Sequence, residues 1–123
     1  MDVVKFKEII SQVNDKWKNK VELMSHLFSD GQIEELAKAL EENQSLTSLI
    51  LNHCEISQQG AQAIAEALYK NQSLTSLNFG FNNIGTQGAK FIAKALEENQ
   101  SLTSLYISGN NIGLTGAQDI ADA

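Results

Sequence analysis

The 123-residue chain contains no arginine and no proline, one cysteine and one tryptophan. Each absence removes a class of protein. All nine basic residues are lysines, and they face fifteen acids for a net charge of −6. Neutralising phosphates and reading base edges lean on Lys and Arg, so no nucleic-acid partner is expected. An anionic membrane surface is disfavoured for the same reason. A single cysteine excludes an intramolecular disulfide framework and a cysteine-based zinc site, and it fits a reducing, cytoplasmic compartment. The lack of proline, with only eight glycines, excludes collagen-like and Pro-rich classes. No run of about 18 apolar residues occurs, so no membrane-spanning helix is expected. The start, Met1-Asp2-Val3-Val4-Lys5, has neither the basic n-region nor the apolar stretch of a signal peptide. The length suits one domain.

What the chain does contain is a repeat. Asn-Gln-Ser-Leu-Thr-Ser-Leu occurs at 43–49, 71–77 and 99–105, spaced by 28 residues each time, and segments 71–95 and 99–123 share 16 of 25 residues. Each unit has two halves of different period. Leu49/Leu51, Leu77/Phe79 and Leu105/Ile107 alternate with a period of two, which predicts a short strand. Ala61, Ile64, Ala65 and Leu68, repeated as Ala89, Ile92, Ala93 and Leu96, follow i, i+3, i+4, i+7 spacing, which predicts one buried helix face. Gly60 and Gly88 lie near the start of that helix, in the turn. Asn71 and Asn99 follow it, where a left-handed residue would end it.

Parallel strands need a crossover, and the helix supplies it. Units of this kind stack into a right-handed βα solenoid of the α/β class. A helix is wider than the roughly 4.8 Å strand spacing, so the stack curves, with its parallel sheet concave and its helices convex. The pattern Leu-x-x-Leu-x-Leu-x-x-Asn/Cys-x-Ile/Leu resembles the leucine-rich repeats. The 28-residue period and the Gly-Ala-x-x-Ile-Ala-x-Ala-Leu helix resemble the ribonuclease-inhibitor-like subtype, which also occurs in Ran GTPase activators, the sensor arms of NOD-like receptors and tropomodulins. The resemblance covers residues 30–123 and implies a binding scaffold, because function on such a fold resides in its surface.

Register divides the array into a degenerate unit 18–45, units 46–73 and 74–101, and a truncated unit 102–123. In the first, Val21, Leu23, His26 and Phe28 align with Leu49, Leu51, Cys54 and Ile56, and its strand is expected near 20–24. Residues 1–17 fit no unit. Val3, Phe6, Ile9, Ile10, Val13 and Trp17 lie at helical spacing, which predicts an amphipathic capping helix with Trp17 in its buried face. The array stops without a polar cap after Ala123, so self-association through that edge is a further expectation.

Little in the chain suggests catalysis, and no catalytic, cofactor-binding or metal-binding residue is assigned. Cys54 stands at the position where these repeats carry Asn or Cys to bond turn backbone. Neighbouring His53 is expected to point away from it, as adjacent strand positions do. His26 occupies the same ladder position one unit earlier, on no common site with His53. The pairs Glu41-Glu42 and Glu97-Glu98 lie on a solvated rim. The Asn-Gln-Ser triplets fit the glycosylation sequon, but the repeat itself dictates them. Gly80-Phe81-Asn82-Asn83-Ile84-Gly85 lacks the lysine and helix of a phosphate loop.

The concave sheet remains. Between the inward leucines, rows of outward residues line up: Glu22, Ile50, Asn78 and Tyr106; Met24, Asn52, Gly80 and Ser108; Ser25, His53, Phe81 and Gly109. Glu22, Met24, Ile50, Asn52, His53, Asn78, Phe81, Tyr106 and Ser108 form the candidate partner-binding surface. Aromatic anchors on a rigid support dominate protein interfaces. The expected function is a non-catalytic protein–protein interaction module, either in a sensor or regulator or in a bacterial protein delivered into a host cytoplasm. The alternatives are a GTPase-activating regulator, which here would have no arginine finger, and a structural scaffold with no partner of its own.

Overall fold

A computed structural model describes residues 1–123. The chain runs α1 (Val3–Asn14), β1 (Lys20–Glu22), α2 (Asp30–Glu42), β2 (Ser48–Ile50), α3 (Gln58–Lys70), β3 (Ser76–Asn78), α4 (Gly85–Glu98), β4 (Ser104–Tyr106) and α5 (Gly113–Ala121). The four strands form one parallel sheet in sequential order. The register matches the 28-residue period: Lys20 pairs Ser48, Ser48 pairs Ser76, and Ser76 pairs Ser104. This is the βα solenoid expected from the repeat, with helices on one side of a parallel sheet. No helix is long and apolar enough to cross a membrane.

The core lies between the two layers. Leu46, Leu49, Leu51, Ile56, Ile64 and Leu68 are sealed in unit two, and Leu74, Leu77, Phe79, Ile84 and Ile92 in unit three. At about 1.5–3 kcal/mol per large apolar side chain, this stripe is the main term holding the stack together. In the last unit Leu102, Leu105 and Ile107 are only partly covered, because no further strand packs beside them.

At the strand starts the backbone is stitched across units. Thr75 N and Ser76 N both donate to Thr47 O at 2.9 and 3.0 Å, and Thr103 N and Ser104 N do the same to Thr75 O. Two asparagine ladders close the turns. Asn82 Nδ2 donates to Leu51 O and Phe79 O at 3.0 Å each, and its Oδ1 accepts from Cys54 N and Ile56 N. At the helix ends, Asn71 Nδ2 donates to Leu40 O and Asn43 O, and its Oδ1 accepts from Ser73 N and Leu74 N. Asn99 makes the equivalent bonds, and Asn43 Oδ1 accepts from Ser45 N and Leu46 N while its Nδ2 donates to Val13 O of α1. The Asn-Gln-Ser triplets are therefore structural, and the first residue of each serves the stack.

Three local expectations are corrected. Asn71 and Asn99 end their helices in extended rather than left-handed conformation, at φ −79° and −82°, with their backbone N–H groups donating to Ala67 O and Ala95 O; their side chains reach the end of the preceding helix instead, at Leu40 O and Leu68 O. The first strand closes at Glu22. Finally, α1 ends at Asn14. Phe6, Ile9 and Val13 are buried, but Trp17 is 85% exposed. The chain must turn at Asp15 to enter β1 at Lys20, so the hydrophobic spacing that carried Trp17 into the helix runs past its physical end.

Candidate functional site

Between the end of each strand and the following helix, one position turns left-handed in every unit, with Glu55, Gly85, Asn111 and Gly113 also left-handed nearby. Ser25, His53 and Phe81 have φ of 62°, 58° and 55°, and Gly109 takes the fourth position at 74°. Backbone bonds pin this row: His53 N donates to Gly80 O at 3.1 Å, and Phe81 N donates to Ser108 O at 2.9 Å. The conformation throws the side chain outward while the next residue, Cys54 or Asn82, turns in. His53 and Cys54 do diverge as expected, but a left-handed residue beyond the strand causes this, not strand alternation.

The result is an aromatic pad. The His53 and Phe81 rings stack at 4.8 Å and 3°. Phe81 and Tyr106 stay about half exposed, at 49% and 47%. Both rings lie on glycines. A Cβ on Gly109 would stand 2.5 Å from Phe81 Cδ1, and one on Gly80 would stand 2.7 Å from Tyr106 Cε1. Any larger residue would lift the rings off the sheet. The repeat pattern places the aromatics but not these seats. The available signal was a glycine in the unit next to each aromatic.

The remaining candidates flank the pad. Ile50 and Asn78 are half-buried between it and β1, and Asn78 Oδ1 accepts from Gly80 N at 3.1 Å, which steadies the Tyr106 seat. Asn52 is half-buried, and its Oδ1 is shielded without a hydrogen-bond partner. Ser108 is exposed. On the far side Glu22 is engaged by Lys20 at 2.9 Å, and Met24 is 52% exposed. The nine residues thus share one face, with the aromatic half around β3 and β4 and a charged half at β1.

Elsewhere the chemistry is quiet. Cys54 Sγ donates to Leu23 O at 2.9 Å inside the core. Burial pushes its thiol up to about 11, against a smaller downward pull from backbone contacts with His26 and Ser25. A thiol so held is a poor nucleophile. No three of His, Cys, Asp and Glu stand close enough to hold a metal ion. The largest cavity, about 770 Å³, lies on the helical side between α2 and α3, lined by polar groups including Glu34, Glu41, Gln62 and Glu66.

The profile of the TMOD/LMOD leucine-rich domain matches residues 4–122. The chain belongs to this family. As a TMOD/LMOD leucine-rich domain it shares its fold with a solved structure described as leiomodin-1 actin-binding site 2, at 27% identity and a TM-score of 0.87, over 99% of this chain and 72% of that one. It also resembles the tropomodulin C-terminal domain of Caenorhabditis elegans, at 17% identity and a TM-score of 0.81, over 94% of this chain and 72% of that one. The second likeness is one of fold alone. No curated protein matches the chain in sequence. The domain is therefore a leucine-rich repeat protein.

Proposed function

We propose that the chain is a non-catalytic recognition domain that binds actin, and that it does so through the concave pad of His53, Phe81 and Tyr106 with flanking Ile50, Asn52, Asn78 and Ser108. The observation that carries the choice of partner is the likeness, over almost the whole chain, to a domain described as an actin-binding site. The choice of face rests on the pad itself. Rings already seated on glycine and pinned by backbone bonds lose little freedom on binding, and that lowers the cost of association. Glu22 and Met24 extend the surface toward β1.

The reading includes the division at residue 17 between cap and repeats, with units starting at 18, 46, 74 and 102. It also includes the ribonuclease-inhibitor-like subtype, supported by the 28-residue period and a full helix in every repeat. A cytoplasmic location fits the single, deeply held thiol. Self-association through the β4 edge stays part of the reading, supported by the half-covered Leu102, Leu105 and Ile107.

Co-sedimentation with filaments and fluorescence titration with monomeric actin test the proposal. The chain should bind one of the two forms, and the double variant Phe81→Gly with Tyr106→Ala should lose at least about 2 kcal/mol of that affinity, the usual cost of removing a pair of central anchors. No binding to either form by the unaltered chain would remove actin as the partner. Binding indifferent to the double variant would remove the concave pad.

A further inference from the structure

The turn between α1 and β1 reads Asp15-Lys16-Trp17-Lys18-Asn19-Lys20, and it is built to present rather than bury. Asp15 Oδ1 accepts from Trp17 N at 2.9 Å, and Asp15 O accepts from Lys18 N at 3.0 Å. The turn is therefore ordered, with its one carboxylate occupied by the backbone. Lys16 Nζ lies 5.4 Å from the Trp17 ring centroid, over its face. Neither Lys16 nor Lys18 has an acidic partner; the ion pairs of the molecule are Lys20–Glu22 and Lys70–Glu41.

Register explains why the position is free. Trp17 aligns with Ser45, Ser73 and Ser101. Ser73 Oγ and Ser101 Oγ each donate to the carbonyl 27 residues back, Leu46 O and Leu74 O, at 2.8 Å. Trp17 precedes the first unit and has no earlier repeat to reach. The residue there carries no stacking duty, and it is the largest apolar side chain available, at 85% exposure. The charge is equally uneven. Residues 1–20 hold five of the nine lysines against three acids, whereas the remainder holds four lysines against twelve acids.

We propose that this corner is a second docking surface, separate from the concave pad, and that its occupant is an acidic segment of a protein partner. Trp17 supplies the apolar anchor, and Lys16 and Lys18 supply charges to pair with glutamates or aspartates around it. An aromatic flanked by unpaired cations on an ordered turn is the composition of an interface hot spot. The acidity of the rest of the molecule confines an acidic partner to this one corner. It also opposes a flat anionic bilayer, which would bring many more negative charges against the acidic body.

Trp17 is the only tryptophan, so its emission reports on this site alone. The full chain is titrated with a hexapeptide alternating glutamate and leucine, and separately with phosphatidylserine–phosphatidylcholine vesicles. A saturable blue shift is expected with the peptide. It should weaken with added salt and be at least about tenfold weaker in Lys16→Glu with Lys18→Glu, because charge reversal turns attraction into repulsion. Phe81→Gly with Tyr106→Ala should leave the shift unchanged, so the outcome does not depend on the concave pad. A response to vesicles but not to peptide overturns the proposal in favour of a membrane surface. No response to either, or loss of the peptide response in the pad variant alone, overturns it outright.

Discussion

Phe81 holds a conformation that disfavours any side chain, at φ 55°; a left-handed non-glycine residue costs about 1–2 kcal/mol. Its ring recovers part of that by stacking on His53, a pair worth about 0.5–1.5 kcal/mol. In Phe81→Gly these terms nearly cancel, so thermal melting should stay within about 1 kcal/mol of the parent. A large loss would mean that the ring is part of the core. Cys54 gives a second prediction. Its thiol ionises near 9.0 when exposed and near 11 when folded. The folded state therefore favours the neutral form. Its stabilising share is complete below pH 9.0 and disappears as pH climbs toward 11, because only the unfolded chain has then lost the proton. Denaturant midpoints should fall across that interval in the parent and stay flatter in Cys54→Ala. The inward place of Cys54, Asn82 and Asn110 was legible from the repeat. The second ladder, Asn43, Asn71 and Asn99, was legible only as turn caps, since a sequon-like polar triplet gives no sign that its first residue bonds across to the preceding helix.

At the scale of elements, the helices were legible because one face keeps i, i+3, i+4, i+7 spacing through every unit, and the strands because Leu49, Leu77 and Leu105 are offset by a constant 28 residues. The end of α1 was not legible: spacing alone continues to Trp17, and only the need to enter β1 in register stops the helix at Asn14. The close approach of neighbouring helices also escaped the sequence pattern. Gly60, Gly88 and Gly116 recur at the first helical turn, and a Cβ on Gly88 would stand 2.9 Å from Ile84 Cβ and 3.2 Å from Ala61 Cβ. Gly88→Ala should push α4 away from α3 and cost about 1–3 kcal/mol, typical of overpacking; urea unfolding measures it. An unchanged midpoint would mean the helices pack less tightly than this.

At the scale of the molecule, a stack of βα units separates stability from recognition. Leucines and asparagines facing inward fix the solenoid, and the outward positions are left free to vary. That is why the sequence announces its fold and is nearly silent about its partner: nothing in a stacking rule specifies Tyr106 or Phe81. Recognition through the pad requires a partner to approach the sheet rather than the helices. Hydrogen–deuterium exchange of the chain with and without actin tests this most directly. Slowed exchange is expected at residues 51–54, 79–82 and 106–109, where the pad is pinned, with the amides of α2, α3 and α4 unchanged. Protection confined to those helices, with the pad exchanging as in the free chain, would contradict it.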